Sequence, residues 1–336
     1  MTRIPESPPV IKPVPAGVLR PRWSVMIPVY NTASFLKEAI ASVLAQDPGE
    51  DIMQIEVVDD CSTDADIRQL VEETGKGRVL YYVQPQNSGS VRNFETCLNR
   101  AKGEIVHLLH SDDKVLPGFY EKMNELYNLF PEVSAACANY IYIDENNKFL
   151  FNNNTEATEK CVLHDFILRI GERCFVQYAS MTVKRNVYEQ TGGFYGVNYG
   201  EDWQMWGTIA KDFSIAYTPE VLAEYRIHSS NISSNSFRTG KNFVDITKVI
   251  NKVNTFMPPG ADKEMIRAHA FRNYARFALA FSEYIWHVSR DKKTVMIQVK
   301  GALKMHSDLY ILRKALKVIA KIMLHPVRRL VGNVKH

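Results

Sequence analysis

The chain predicts an α/β fold: a doubly wound, mostly parallel sheet followed by a helical C-terminal extension. Three observations lead there. Short β-branched apolar runs alternate with helically spaced apolar segments through the first third of the chain. Polar and acidic residues collect where each apolar run ends, which in a doubly wound sheet is the ligand-binding edge. From Asn242 onward the pattern is helical, broken at "MPPG".

The elements follow in order. "SVMIPVY" reads as a first buried strand, and "SFLKEAIASVLAQ" as a helix with Phe35, Leu36, Ala39, Ile40, Val43 and Leu44 on its apolar side. "IEVV" is a second strand, "DDCSTD" a loop rich in capping residues, and Asp64 to Thr74 a helix. "VLYYV", "QPQNSGS", "VRNFETCLNRA" and "EIVHLL" give strand, loop, helix and strand. After about residue 131 the regularity loosens. "SAACANYIYID" and "FVQYASMTVKR" read as strands, "NNKFLFNNNTEATEK" as a loop, and "GEDWQMWGTIAKDF" opens a helix before the extended return "SIAYTPEVLAEYRIH". The expected organisation is a flexible Pro-rich arm over 1–22, a sheet domain over 23–235 and a helical region over 236–336 with a basic end.

Composition bounds the function. With 46% hydrophobic and 23% charged residues the chain is an ordinary globular protein, and a net charge of +4 gives no field for nucleic acid. Five widely spaced cysteines favour reduced thiols and a cytoplasmic setting. The N-terminal arm has no apolar core and does not read as a signal peptide. No apolar run approaches the roughly 18 residues of a membrane-spanning helix.

The predicted strand ends bring together Pro28, Tyr30 and Asn31; Asp59 and Asp60; Asn87, Ser88 and Gly89; and His110, Ser111, Asp112 and Asp113. Adjacent carboxylates repel, and a cation relieves that repulsion. Asp112 and Asp113 are therefore candidate ligands of Mg²⁺ or Mn²⁺, hard ions that take carboxylate and phosphate oxygens. The plainer reading is a solvated acidic turn. Asp59 or Asp60 offers a carboxylate acceptor for a pyrimidine N–H, with Tyr30 to stack on the base, although both acids also suit a helix cap. Glu201 and Asp202 open a helix, where acids favour the macrodipole at about 0.3–1 kcal/mol each. Asp202 is equally a candidate general base for a hydroxyl nucleophile. Trp203 and Trp206 could floor a sugar or pack the helix, and His228 could ligand the metal or serve structure. No G-x-G-x-x-G follows the first strand and no G-x-x-x-x-G-K-[ST] occurs, so dinucleotide and P-loop chemistry are excluded. A nucleotide without a glycine cradle needs a cation to neutralise its diphosphate.

"SVMIPVYN", "SVLAQ", "EVVDDCSTD", "NSGSVRN", "AKGEIVHLLHSDD", "GEDWQMW" and "YRIHSSNIS" occur in the order found in family 2 inverting glycosyltransferases, which the chain resembles over roughly residues 23–235. The resemblance implies a GT-A fold, a nucleotide-diphosphate sugar donor (usually a UDP-sugar) and Mg²⁺ or Mn²⁺. It implies base-pocket roles for Tyr30 and Asp60, a further nucleotide contact at Arg92, ribose or metal binding at Asp112, metal coordination at Asp113 and general-base catalysis at Asp202. Many members read Asp-x-Asp-Asp; here His110 stands at the first position, giving His-Ser-Asp-Asp. The expected product is a glycan or lipid-linked surface saccharide.

Near the C-terminus, Leu312, Leu316, Ile319 and Met323 fall on one helix face while Arg313, Lys314, Lys317 and Lys321 lie largely off it. Such a segment either docks on an anionic membrane surface or packs on the protein with a solvated basic side. Two competing functions share some of these features. A sugar nucleotidyltransferase would carry a Gly-rich, Lys-containing first loop, which "PVYNTASF" lacks; a catalytically weak sugar-nucleotide-binding protein suits His110 but leaves Asp202 unexplained.

Overall fold

The computed structural model describes residues 2–229 and 231–332. The chain divides into two compact units, residues 1–167 with 175–228, and residues 168–174 with 229–336.

The first unit contains β1 (Trp23–Val29), α1 (Ala33–Leu44), β2 (Met53–Asp59), α2 (Ile67–Gly75), β3 (Leu80–Val83), α3 (Ser90–Arg100), β4 (Ile105–Leu108), β5 (Lys114–Val115), α4 (Phe119–Leu129), β6 (Ala135–Asp144), β7 (Phe149–Asn152) and β8 (Cys161–Val162). It continues, after α5 (Phe166–Glu172), with β9 (Met181–Lys184), α6 (Arg185–Thr191), α7 (Glu201–Asp212) and β10 (Ile215–Ile227). The strands form one sheet in the order β3-β2-β1-β4-β9-β6-β10-β5, with β7 beside β6 and β8 beside β10. β1 and β2 are buried along their whole length, as continuous apolar runs in a parallel sheet covered on both faces should be. On α1, Leu36, Ala39, Ile40 and Val43 turn inward with helical spacing.

The N-terminal half is parallel, β3-β2-β1-β4, as the strand–helix alternation predicts. The other half is mixed. β9 runs antiparallel between β4 and β6, and β7 folds back on β6 across a short turn. No helix separates β6 from β7, so that pair turns back antiparallel, whereas β10 returns parallel to β6 after a connection that includes α6 and α7. The expected helix at Asp64 starts instead at Ile67, capped by Asp66, whose carboxylate accepts from Gln69 N at 3.0 Å.

The arm expected to be flexible over 1–22 has, over the described residues 2–22, a fixed path against this unit. Ile11 is 1% exposed, and the Pro5 and Pro9 carbonyls accept from Gly196 N and Gly193 N, each at 2.8 Å. Prolines lack the donor for a ladder, but their carbonyls still accept. The bare glycines make the approach possible: a Cβ at Gly192 would stand 2.7 Å from Pro8 Cβ.

The second unit is helical: α8 (Ile232–Thr239), α9 (Lys241–Asn254), α10 (Lys263–Val288), α11 (Lys292–Met305) and α12 (Leu309–Gly332). Its core joins Ala275, Leu279, Val295, Val299, Ile311 and Val318. On α12 the row turned inward is Ile311, Ala315, Val318 and Ile322. Of the face singled out by the sequence, Leu312, Leu316 and Met323 are 46%, 65% and 70% exposed, while Ile319 is half-buried against the helical core. The last four residues of the basic end, 333–336, lie outside the described residues. None of the described helices is long and apolar enough to cross a membrane.

The entry into β4 shows how tightly the site-bearing strands are set. A Cβ at Gly103 would lie 2.5 Å from Trp23 C and 2.6 Å from Ser24 N. Gly103→Ala should therefore cost about 1–3 kcal/mol or more, read as a lower midpoint of urea unfolding.

Candidate active site

The carboxyl ends of β1, β2, β4 and β10 are laced by hydrogen bonds into one rim. Asn31, with φ of 53°, takes the left-handed conformation that asparagine tolerates. Its N–H donates to Ser62 Oγ at 3.0 Å and its Oδ1 accepts from Thr63 N at 2.8 Å. Pro28 is buried in β1 opposite Val58, and Tyr30 just beyond stands 47% exposed, its ring available for stacking. Thr32 and Ser111 share a 2.6 Å hydrogen bond between the ends of β1 and β4.

Asp59 and Asp60 are 3% and 1% exposed. Asp59 accepts from Ser62 N and Tyr81 Oη, both at 2.9 Å. Asp60 accepts from Asn87 Nδ2 at 2.9 Å, Ser88 N at 2.6 Å, Ser88 Oγ at 2.7 Å and Gly89 N at 2.8 Å. A carboxylate has about four acceptor positions, and these four donors fill them. Asp60 therefore fixes the Asn87–Gly89 loop, and a base N–H would have to displace one of its donors. Arg92, expected on the nucleotide, turns onto Glu95 at 2.6 Å and the Thr2 carbonyl at 3.1 Å, because the arm offers an acceptor there.

At the end of β4 one carboxylate or imidazole atom from each of His110, Asp112 and Asp113 lies within 4.8 Å of the others. Asp113 is 1% exposed; its Oδ1 accepts from Arg226 N at 2.9 Å, while its Oδ2 is buried with no partner. His110 Nε2 is likewise buried without a partner, its ring stacked 4.1 Å from Tyr178 and 5.1 Å from Phe94. Orphaned buried acceptors carry a real cost, so the donor set fits a cation. Burial and the Asp112 charge push the Asp113 carboxyl well above its usual range, with Arg226 offsetting this in part. Burial opposes ionisation of Asp112 too, but the His228 hydrogen bond and the His110 and His228 charges outweigh it and hold Asp112 below its ordinary value. Burial lowers His110, against the pull of Asp112, which keeps its ring neutral and able to ligand.

His228 is not in that group of three. Its Nε2 meets Asp112 Oδ2 at 2.9 Å, and its ring sits 4.7 Å from Phe35. Arg226, not foreseen, is the larger support. Its side chain is fully buried, with Nε donating to the Asp112 carbonyl at 2.8 Å and Nη2 paired with Glu38 at 2.9 Å. Its guanidinium lies 4.8 Å above the Phe35 ring. An arginine inside the apolar strand "VLAEYRI" was the available signal, since such a charge is buried only when paired.

Glu201 and Asp202 open α7, where first-turn acids oppose the N-terminal dipole. Glu201 accepts from Tyr178 Oη at 3.3 Å, and Tyr178 in turn stacks on His110, so one phenol links the α7 acids to the β4 cluster. Burial and the Glu201 charge raise the Tyr178 phenol, which stays a donor. Trp203 is 3% exposed, which corrects its expected role: a ring with no open face packs the helix and cannot floor a sugar.

The sequence model of the family described as Glycosyl transferase family 2 matches residues 24–192. The chain belongs to that family. Among curated relatives, TuaG of Bacillus subtilis (strain 168), a glycosyltransferase assigned to teichuronic acid biosynthesis, is 29% identical over 227 residues, 66% of this chain and 85% of that protein. The GalNAc(5)-diNAcBac-PP-undecaprenol beta-1,3-glucosyltransferase of Campylobacter jejuni is 26% identical, covering 68% and 74%. Among solved structures, S. aureus TarS 1–349 in complex with UDP-GlcNAc aligns with a TM-score of 0.58 at 13% identity, covering 90% of this chain and 81% of that one. The mannosyltransferase PcManGT from Pyrobaculum calidifontis, in complex with GDP-Man and Mn²⁺, aligns with a TM-score of 0.52 at 17% identity, covering 96% and 87%. This family 2 glycosyltransferase has the GT-A fold, with a mixed α/β sheet and helices at its C-terminus.

Two outcomes test this geometry. Because Asp113 holds a proton where an ordinary aspartate is ionised, a divalent cation must expel it. Mn²⁺ affinity measured by calorimetry should rise with pH above the ordinary aspartate range and level off once Asp113 is ionised, and Asp113→Asn should flatten the curve. Arg226→Met should cost about 3 kcal/mol of stability, because it leaves Glu38 and the Asp112–Asp113 turn without their cation, and should weaken Mn²⁺ binding in the fraction that folds.

Proposed function

We propose that the protein is an inverting glycosyltransferase that moves a sugar from a nucleotide-diphosphate donor, a UDP-sugar, to a hydroxyl of a glycan or lipid-linked acceptor in surface-polysaccharide synthesis. The observation that carries this reading is the pair of orphaned atoms, Asp113 Oδ2 and His110 Nε2, facing the same three-residue cluster at the carboxyl edge of the sheet. Such a cluster suits Mg²⁺ or Mn²⁺ held by Asp112, Asp113 and His110, and that ion supplies Lewis-acid neutralisation of the departing diphosphate.

The remaining work belongs to the chain. Tyr30 stacks on the base, and the loop held by Asp59 and Asp60 presents Asn31, Asn87 and Gly89 along the nucleoside. Asp202 accepts the acceptor hydroxyl's proton as oxygen attacks the anomeric carbon, and one displacement inverts its configuration. Glu201, positioned by Tyr178, flanks the acceptor. A binding-only protein would not need a carboxylic side chain such as Asp202 at the head of α7.

The family relative named for an undecaprenol-linked saccharide, together with α12, favours a membrane-bound acceptor. The row Leu312, Leu316 and Met323 is apolar and exposed although another face of the same helix already packs the core, and Arg313, Lys314, Lys317 and Lys321 flank it. That combination suits a peripheral hold on an anionic lipid surface from the cytoplasmic side.

Asp202→Asn should fold normally and lose about 10²- to 10⁴-fold in kcat, measured as UDP release with a matched donor and acceptor. Near-normal turnover would remove Asp202 as the base. Replacing both Leu316 and Met323 with glutamate should reduce co-flotation with vesicles containing about one-third phosphatidylglycerol by roughly tenfold while leaving donor hydrolysis unchanged; equal flotation would remove the docking face.

A further inference from the structure

Residues 2–12 follow a path that joins two functional segments of the first unit. The Thr2 carbonyl accepts from Arg92 Nε at 3.1 Å, and Arg3 Nη2 donates to Asn87 Oδ1 at 2.5 Å. Lys12 N donates to Asn99 Oδ1 at 3.0 Å, while its carbonyl accepts from Arg185 Nη2 at 2.9 Å. With the Pro5 and Pro9 carbonyls on Gly196 and Gly193, the arm touches the nucleotide loop and α3 on one side and the approach to α7 on the other.

Arg3 is the residue of that arm with unused chemistry. Its side chain lies over the loop: a Cβ at Gly89 would stand 3.1 Å from Arg3 Nε and 3.4 Å from Arg3 Cβ. Gly89, with φ of 92°, is one of the few residue types that could pass beneath it. A guanidinium offers only donors, so Asn87 must turn Oδ1 toward Arg3 and Nδ2 toward Asp60. Arg3 thereby orients the amide that anchors Asp60. It is exposed, and Asn87 takes one of its five N–H groups. Meanwhile the acceptor positions of Asp60 are full and Arg92 is held by Thr2 and Glu95. Arg3 is an exposed cation lying over the loop.

We infer that the N-terminal arm is part of the donor site, and that Arg3, oriented by Asn87, donates to the carbonyl edge of the base of a bound nucleoside diphosphate. This rests on the donor-site reading above. Arginine suits such an edge because its guanidinium carries only donors in a fixed plane, so Asn87 can hold one N–H group while another reaches a base carbonyl, an orientation a lysine ammonium does not keep. The diphosphate has its own partners at the Asp112–Asp113 cluster, so the arm acts at the nucleoside end.

Two measurements test it on the full chain. In calorimetric titration with UDP and Mn²⁺, Arg3→Ala should weaken UDP binding about tenfold, the effect of losing a charged hydrogen bond, with an unchanged melting temperature because Arg3 is exposed. Arg3→Lys should recover only a small part. The Arg3–Ile4 bond is itself a tryptic site, so cleavage there reports occupancy of the arm: millimolar uridine, or UDP with Mn²⁺, should slow it, whereas pyrophosphate with Mn²⁺ should not. Wild-type UDP affinity in Arg3→Ala, or a cleavage rate indifferent to saturating UDP, overturns the inference while the donor site stands. Protection by pyrophosphate without protection by uridine overturns the base-edge assignment. Failure of the wild-type protein to bind UDP removes the donor-site reading, and this inference with it.

Discussion

A buried carboxylate beside a half-buried one constrains everything around them. Asp112 and Asp113 follow directly on β4, and Asp113 is 1% exposed. Neither could ionise there unaided, because burial penalises the charge and each repels the other. The structure divides the problem between them. His228 holds Asp112 on the ionised side, while Asp113 keeps one oxygen on Arg226 N–H and leaves the other without a partner. The asymmetry matters chemically: Asp112 is held below its ordinary value and Asp113 above it, so the two acids give up their protons at different pH.

That division depends on β10 lying where it does. Arg226 and His228 both leave its final turn of chain, and parallel pairing with β6 along Ile215–Ile227 sets how far they reach past the β4 edge. A buried arginine is tolerable because every direction it faces supplies a partner: the Asp112 and Asp144 carbonyls, the Glu38 carboxylate and the Phe35 ring. Phe35 and Glu38 belong to α1, so the helix that packs the first strand also braces the cation cluster. Cluster, clamp and helix form one electrostatic unit.

The nucleotide side is built by a different device. Without a glycine-rich phosphate cradle, rigidity comes from side chains that bond neighbouring strand ends: Asn31 across to Ser62 and Thr63, Asp59 to Tyr81, Asp60 to the whole Asn87–Gly89 loop. Groups already satisfied by the protein do not need to reorganise when a ligand binds, which lowers the cost of recognition. The arm extends this lacing from outside the sheet, and its prolines suit the task because an extended segment with few internal hydrogen bonds keeps its carbonyls for others.

The sequence by itself determined the parallel half of the sheet, the helices α1 to α3, the rim and most of its residues, because strand–helix alternation places strand ends on one edge whatever the remaining topology. It also named the acids that matter: Asp59, Asp60, Asp112, Asp113, Glu201 and Asp202. Contacts between residues far apart in sequence were decided by tertiary structure. No local pattern announces that Arg226 spans 113 residues to meet Asp113, or that Tyr178 stacks on His110. Trp203 and His228 show the same limit, since a residue type indicates what a side chain can do and only packing decides whether it faces ligand or core. On α12 the apolar row was legible, but two rows compete on that helix, and shape complementarity with α10 and α11 selected Ile311 and its neighbours for the interior. The proline-rich arm looked mobile for a sound reason, its lack of a core. Gly89, Gly192 and Gly193, whose missing side chains make room for it, allow its close approach.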